Sequence, residues 1–187
     1  MGFGTASLGL IERRIFFGKP YCTLGQFPKQ VADVAQLPGT EQRKIEQAAQ
    51  FVITSLLTPT HTGGIVLAVG LRGHCYEESD KKGLERAQED QALSRERARS
   101  VADALLEAVK LVARKLSAAR PPVGEPFDPI ICGVGATAPL NDKPANDFER
   151  GLNRRVEVFF FKDFEVLGED AAARFDLPAQ KAFDRRS

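Results

Sequence analysis

One amphipathic stripe constrains this chain more than any other feature. Val101, Leu105, Ala108, Val112 and Leu116 recur at steps of 4, 3, 4 and 4. That spacing puts five apolar side chains on one face of a helix. The helix is expected from about Ser94 to Ala118, ending before Pro121-Pro122, where ring sterics and the missing N–H stop it. Short apolar runs flank it. Ile65 to Leu71 reads IVLAVGL, after Gly63-Gly64 and before Gly73. Ile130 to Val134 reads IICGV after Pro129. Neither alternates apolar with polar, so both faces of each strand should be covered. Strand, long helix and strand in that order predict a right-handed crossover between parallel strands.

The remaining elements extend that unit. Pro38-Gly39 precedes a helix expected over Thr40 to Leu57, with Thr40 as N-cap. Ile45, Ala48, Ala49, Val52 and Leu56 form its inner face. Arg155 to Phe161, RVEVFFF, reads as a last strand whose three phenylalanines belong to the core and a packed edge; an early strand near Tyr21 to Phe27 is weakly marked. The expected pattern is βαβαβ with a final strand, a mixed sheet carrying helices on one face. Residues 74 to 92 are expected to form a charged connection in solvent. Residues 163–187 form a tail, with Ala171 to Phe175 a candidate short helix, whose role is packing on the domain or on a partner. Residues 1–19 form an N-terminal extension, leaving 20–162 as one domain.

Composition narrows the function classes. Among 187 residues, 43% are apolar, enough for a core, and the formal charge is +1. A near-neutral surface has no broad attraction for nucleic acid or acidic lipid. No apolar run approaches the roughly 20 residues of a membrane-spanning helix. The start, MGFGTASLGLIERR, lacks the basic leader and long apolar core of a secretory signal. Ala6 breaks the myristoylation pattern. The chain therefore stays in the cytoplasm, is exported without a classical signal, or is cut from a longer exported protein.

Cys22, Cys75 and Cys132 are an odd number and form no CxxC pair. They read as small buried hydrophobes, with one disulfide as the alternative. A metal site with His61 or His74 lacks ligand spacing. There is no nucleophile elbow, no phosphate loop and no metal-ligand set, so neither catalysis nor a cofactor is expected. His74 and Cys75 are adjacent, and on a strand end they would point to opposite faces, poor geometry for a Cys–His pair.

Arg97 is the candidate for chemistry. It lies four residues before Val101, so it shares the inward stripe. If Ser94 caps the helix, Arg97 sits in the first turn, where a cation opposes the macrodipole. A buried guanidinium needs an anion. Glu77, Glu78, Asp80, Glu89 and Asp90 are local candidates; a ligand carboxylate is the other.

Four motifs in order carry a family resemblance. Leu93-Ser94-Arg95-Glu96-Arg97-Ala98-Arg99-Ser100-Val101 resembles the LSxxRAxxV signature of OmpA-like domains. Asn153-Arg154-Arg155-Val156-Glu157 resembles that family's NRRVE strand, Gly133-Val134-Gly135 with Pro139 its GxGxxxP turn, and Gly73-His74 the start of its GHTD motif. Together with the first helix they span about Tyr21 to Phe161. The resemblance implies an α+β fold, a βαβαβ sandwich with a mixed four-stranded sheet. It also implies non-catalytic binding of peptidoglycan, in which an Asp of GHTD and the Arg of LSxxRA grip the diaminopimelate of the stem peptide.

That Arg corresponds to Arg97. Cys75 and Tyr76 stand in the last two positions of GHTD, so Tyr76 replaces the carboxylate. The connection from Tyr76 to Leu93 covers 17 positions, several more than the family pattern, and Asp90 replaces the Asn expected three residues before Leu93. Asp90, Glu77 or Glu78 could supply the missing acceptor for a ligand ammonium. Alternatively Asp90 pairs with Arg97 and closes the pocket. The expected ligand-contacting set is Arg97, Asp90, Tyr76, Cys75, Leu93 and Arg154, although on position alone Arg154 reads first as a structural tie from the last strand to the helix and His74 as a hydrogen-bonded structural histidine, with Tyr76 as a cover for the sheet end. The expected partner is peptidoglycan. The alternative is a ligand-free structural protein with an OmpA-like fold, recruited into an envelope or secretion assembly.

Overall fold

A computed structural model describes residues 19–57, 62, 64, 66, 68–76, 80–116 and 127–162. Glu77, Glu78, His61, the Ala171 to Phe175 helix and the N-terminal features lie outside the described residues. The described elements are β1 (Cys22–Leu24), a 3-10 turn (Val34–Gln36), α1 (Gly39–Leu57), β2 (Ala68–Gly73), α2 (Gly83–Leu116), β3 (Asp128–Gly133), α3 (Asp147–Asn153) and β4 (Val156–Phe161).

The strands form one mixed sheet in the order β1-β4-β2-β3. β2 and β3 are parallel, as a helical crossover requires, while β4 is antiparallel to both β1 and β2. This is the expected α+β architecture. Side chains alternate across the sheet. Leu24, Val69, Leu71, Val156 and Val158 face the helices and join the core with Ile45, Ala49, Val52, Val101, Leu105 and Val109.

Two glycines set how closely α2 lies on the sheet. A Cβ on Gly73 would stand 1.8 Å from the Ser94 carbonyl oxygen. One on Gly133 would stand 2.7 Å from the Arg95 backbone nitrogen. The helix backbone therefore rests directly on the ends of β2 and β3. Both glycines belong to motifs singled out above, and their requirement is steric.

The long helix differs from expectation at its start. It begins at Gly83, eleven residues before Ser94, so most of the supposed solvent connection is helix. The inward positions there are polar: Asp90 and Ser94 are buried, and Arg86 is half-buried. A search for apolar periodicity cannot see a stripe made of such residues. Ser94 consequently caps nothing. It sits mid-helix, donates to the Gln91 carbonyl at 2.8 Å and accepts from Gly135 N–H at 3.0 Å. Arg97 lies about four turns into the helix, beyond the reach of the N-terminal dipole.

Other boundaries shift slightly. α1 starts at Gly39, so Thr40 is inside it and is not the cap; the Pro38 carbonyl accepts from the Glu41 and Gln42 N–H groups. The early strand shortens to three residues. α3 was not expected. Its signal is a capping box, in which the Asn146 side chain accepts from Glu149 N–H at 2.9 Å and donates to the Glu149 carboxylate at 3.3 Å.

Candidate functional site

Arg97 is completely buried, at 0% exposure, and is the largest of the fully buried side chains. α2 carries it over the C-terminal end of β2, where the chain leaves the sheet at His74 and Cys75. Its guanidinium donates in three directions. Nε reaches the Val31 carbonyl at 2.8 Å and Nη2 the Pro28 carbonyl at 3.0 Å. Nη1 reaches the His74 carbonyl at 3.2 Å and the Cys75 sulfur at 3.4 Å. The group also lies over the Phe27 ring, 5.2 Å from its centroid.

The loop over Arg97 is held from a second side. Arg154, just before β4, donates from Nε to the Phe27 carbonyl at 2.7 Å and pairs with Asp147 at 3.4 Å. Two arginines from distant parts of the sequence thus clamp the Phe27–Val31 stretch by its carbonyls. Gln26, just before this stretch, and Gln30, within it, have φ of 65° and 57°, the left-handed region that side chains other than glycine rarely adopt. The clamp keeps them there.

The expected ligand set is only partly gathered. Arg97 and Cys75 are in contact. Arg154 joins them through the shared loop. Asp90 is buried seven residues earlier on α2, and its ion pair runs to Arg86 at 3.7 Å. Tyr76 and Leu93 are half-buried at the rim. Among the described residues Cys22, Cys75 and Cys132 form no disulfide, and burial pushes the Cys22 thiol up to about 11. His74 and Cys75 face opposite ways, one toward Glu157 and the other toward Arg97.

A second polar cluster escaped the sequence reading. On the sheet face away from the helices, Arg72 of β2 stands opposite Glu157 of β4 and donates from Nε to its carboxylate at 2.7 Å. Arg155 donates from Nε to the other carboxylate oxygen at 2.9 Å and from Nη2 to the Ala138 carbonyl at 3.1 Å. His74 Nε2 lies 3.2 Å from Glu157, and His74 Nδ1 and Arg155 Nη1 are buried without hydrogen-bond partners. Burial opposes ionisation of Glu157, but His74, Arg72 and Arg155 together outweigh it and bring its pKa down to about 2. Burial lowers the His74 pKa below the usual value. The signal was available: Arg155 and Glu157 alternate in one strand and Arg72 and His74 in another, the spacing that puts all four on one face.

Among the described residues no group of three His, Cys, Asp or Glu side chains could hold a metal ion, and no helix is long and apolar enough to cross a membrane.

No family model and no curated protein matches the chain. Among solved structures it is similar to the peptidoglycan-associated lipoprotein from Burkholderia pseudomallei, at 14% identity over 74% of this chain and 89% of that one, with TM-score 0.47. It is similar to the OmpA-like domain of FopA1 from Francisella tularensis, at 15% identity over 74% of this chain and 73% of that one, with TM-score 0.42. It is also similar to the cell wall anchor of the T6SS from Pseudomonas aeruginosa, at 20% identity over 73% of this chain and 75% of that one, with TM-score 0.39.

Proposed function

We propose that the chain is a non-catalytic OmpA-like module of a bacterial cell envelope, a structural unit of a peptidoglycan-associated assembly. In this reading Arg97 holds its own chain rather than a stem peptide. The four ordered motifs and the β1-β4-β2-β3 sheet support the module. The burial of Arg97 carries the second half. A guanidinium at 0% exposure, donating to Pro28, Val31, His74 and Cys75, is closed to a ligand carboxylate. Tyr76 at the position of the family's carboxylate fits the same reading, since a ligand ammonium would lose its acceptor.

One observation favours the second reading, in which Arg97 binds diaminopimelate. It donates to the Pro28, Val31 and His74 carbonyls, and a ligand carboxylate would form stronger, charge-assisted bonds than these. A ligand could displace the strained loop.

Co-sedimentation with purified sacculi, with and without free diaminopimelate, separates the two. The structural reading expects no diaminopimelate-sensitive sedimentation. Sedimentation that diaminopimelate competes away, and that Arg97→Lys abolishes while the fold persists, overturns it in favour of ligand binding.

A further inference from the structure

His74 belongs to both polar clusters at once. Its imidazole lies among Arg72, Arg155 and Glu157. Its main chain serves the other cluster: the carbonyl accepts from Arg97 Nη1 at 3.2 Å, and the N–H donates to the Arg155 carbonyl at 2.8 Å. Cys75, next in the chain, offers its sulfur to the same Nη1 at 3.4 Å. A movement of His74 therefore reaches two of the groups that hold Arg97, and Arg97 in turn holds the Phe27–Val31 loop by the Pro28 and Val31 carbonyls.

The ring sits where only its neutral form is comfortable. It is 1% exposed, and neither Nδ1 nor Nε2 has a hydrogen-bond partner, although Nε2 stands 3.2 Å from Glu157. An imidazolium carries two N–H donors and needs an acceptor for each. The Glu157 carboxylate is already shared by Arg72 Nε at 2.7 Å and Arg155 Nε at 2.9 Å. The neighbouring strands add no charge at this level of the sheet: Cys132 of β3 stands opposite Arg72, and Thr23 of β1 opposite Glu157. The loop after β3 closes over the cluster and has no acidic residue from Val134 to Asn141. From α2 the charged group on His74 is Arg97, at the carbonyl. A proton on His74 would set three cations against one carboxylate inside the protein. Water is the remaining acceptor, and the ring gains it by turning out of the cluster.

We propose that His74 is an acid-operated latch on the Phe27–Val31 loop: protonation turns the ring outward, withdraws the His74 carbonyl and the Cys75 sulfur from Arg97, and lets the loop open. This goes beyond the proposed function and does not depend on whether peptidoglycan is bound. The sign follows from burial, which lowers the His74 pKa in the closed form. The opened form takes the proton first, so closure is intact above about pH 6.5 and weakens as pH falls. Backbone strain favours release, because Gln26 and Gln30 hold φ of 65° and 57° under the clamp.

The test is backbone amide exchange on the full chain at pH 7.5 and 5.5, corrected for the intrinsic rate at each pH. Val31, His74 and Cys75 donate at 3.2, 2.8 and 2.9 Å to the Pro28, Arg155 and Gly135 carbonyls, so their amides report the latch. They should exchange through openings that leave the Val52 amide of α1 protected, and several-fold more often at pH 5.5. One pH unit below the ordinary histidine value sets a ceiling of about tenfold. His74→Gln should remove the pH response, and His61→Gln, at the other histidine of the chain, should keep it. Protection equal to that of Val52, no response to pH, or a response that survives His74→Gln overturns the proposal. Should His74→Gln not fold, the wild-type pH series decides. The response must set in just below pH 6.5, and one confined below pH 4.5, where carboxylates titrate, overturns the proposal.

Discussion

The Arg97 guanidinium and the Val31 carbonyl, 66 residues apart in sequence, meet at 2.8 Å inside the protein. A cation so placed ties together four chain positions, because the Pro28, Val31 and His74 carbonyls and the Cys75 thiol all accept from it. Each acceptor would be left bare if the guanidinium were removed. Arg97→Met should therefore destabilise the fold by about 3 kcal/mol, the sum of several buried carbonyls losing their donor. Chemical denaturation of the purified variant measures it. A side chain held in reserve for a ligand would leave the midpoint nearly unchanged.

Gly73 makes the sharpest steric demand. A methyl group there meets the Ser94 carbonyl at 1.8 Å, and neither backbone can yield without moving α2 off the sheet. Gly73→Ala should cost more than about 4 kcal/mol, as a clash in the core does. Gly39→Ala, where a Cβ meets nothing within 4 Å, should change stability by less than about 1 kcal/mol. Thermal melts of the two variants compare them directly.

Ser94 ties the same helix to the turn after β3. Its hydroxyl accepts from Gly135 N–H at 3.0 Å in a buried setting. Ser94→Ala leaves that N–H unsatisfied and should cost about 1–2 kcal/mol. Faster amide exchange at Gly135 is the local signature, and unchanged exchange there would contradict the assignment.

Acid should act on the Glu157 cluster in two windows. The folded-state pKa of Glu157 is about 2, below its ordinary 4.5. The unfolded chain therefore takes up that proton first, and the stability contributed is present above about pH 4.5 and lost as pH falls toward 2. The size is on the order of 2 kcal/mol after solvent screening. His74 is also lowered, so the unfolded chain binds its proton first and stability already declines as pH drops below 6.5. Glu157→Gln should flatten the lower window and His74→Gln the upper one. Denaturation midpoints from pH 7 to 3 would show whether the two separate.

The sheet, its two main helices and their inner faces were legible because apolar side chains recur there with the right period. Val101 to Leu116 and Ile45 to Val52 need no tertiary knowledge. The first turns of α2 were illegible for the opposite reason. Their inward residues, Asp90 and Ser94, are polar, and only the glycine-tight contact with β2 and β3 makes burying them possible. Arg97 was legible as an inward-facing residue, but its partners were not. The acceptors at Pro28 and Val31 are carbonyls, which every residue owns and no pattern marks. The Glu157 cluster failed differently: its four members were visible in pairs, and only the β2–β4 register joins them.

The strand order has a consequence for how the molecule comes into being. β4 is the last of the described strands in sequence, yet it lies between β1 and β2. A nascent chain that has emerged only as far as α3 holds a first strand with no neighbour and a β2–β3 pair with one long raw edge. The sheet cannot become continuous until Val156 to Phe161 slides into that gap. Completion of this sheet is thereby deferred until β4 has emerged and weighted toward distant contacts, which slows it. Until then the vacant slot is an invitation to any extended segment, including the same strand of another copy.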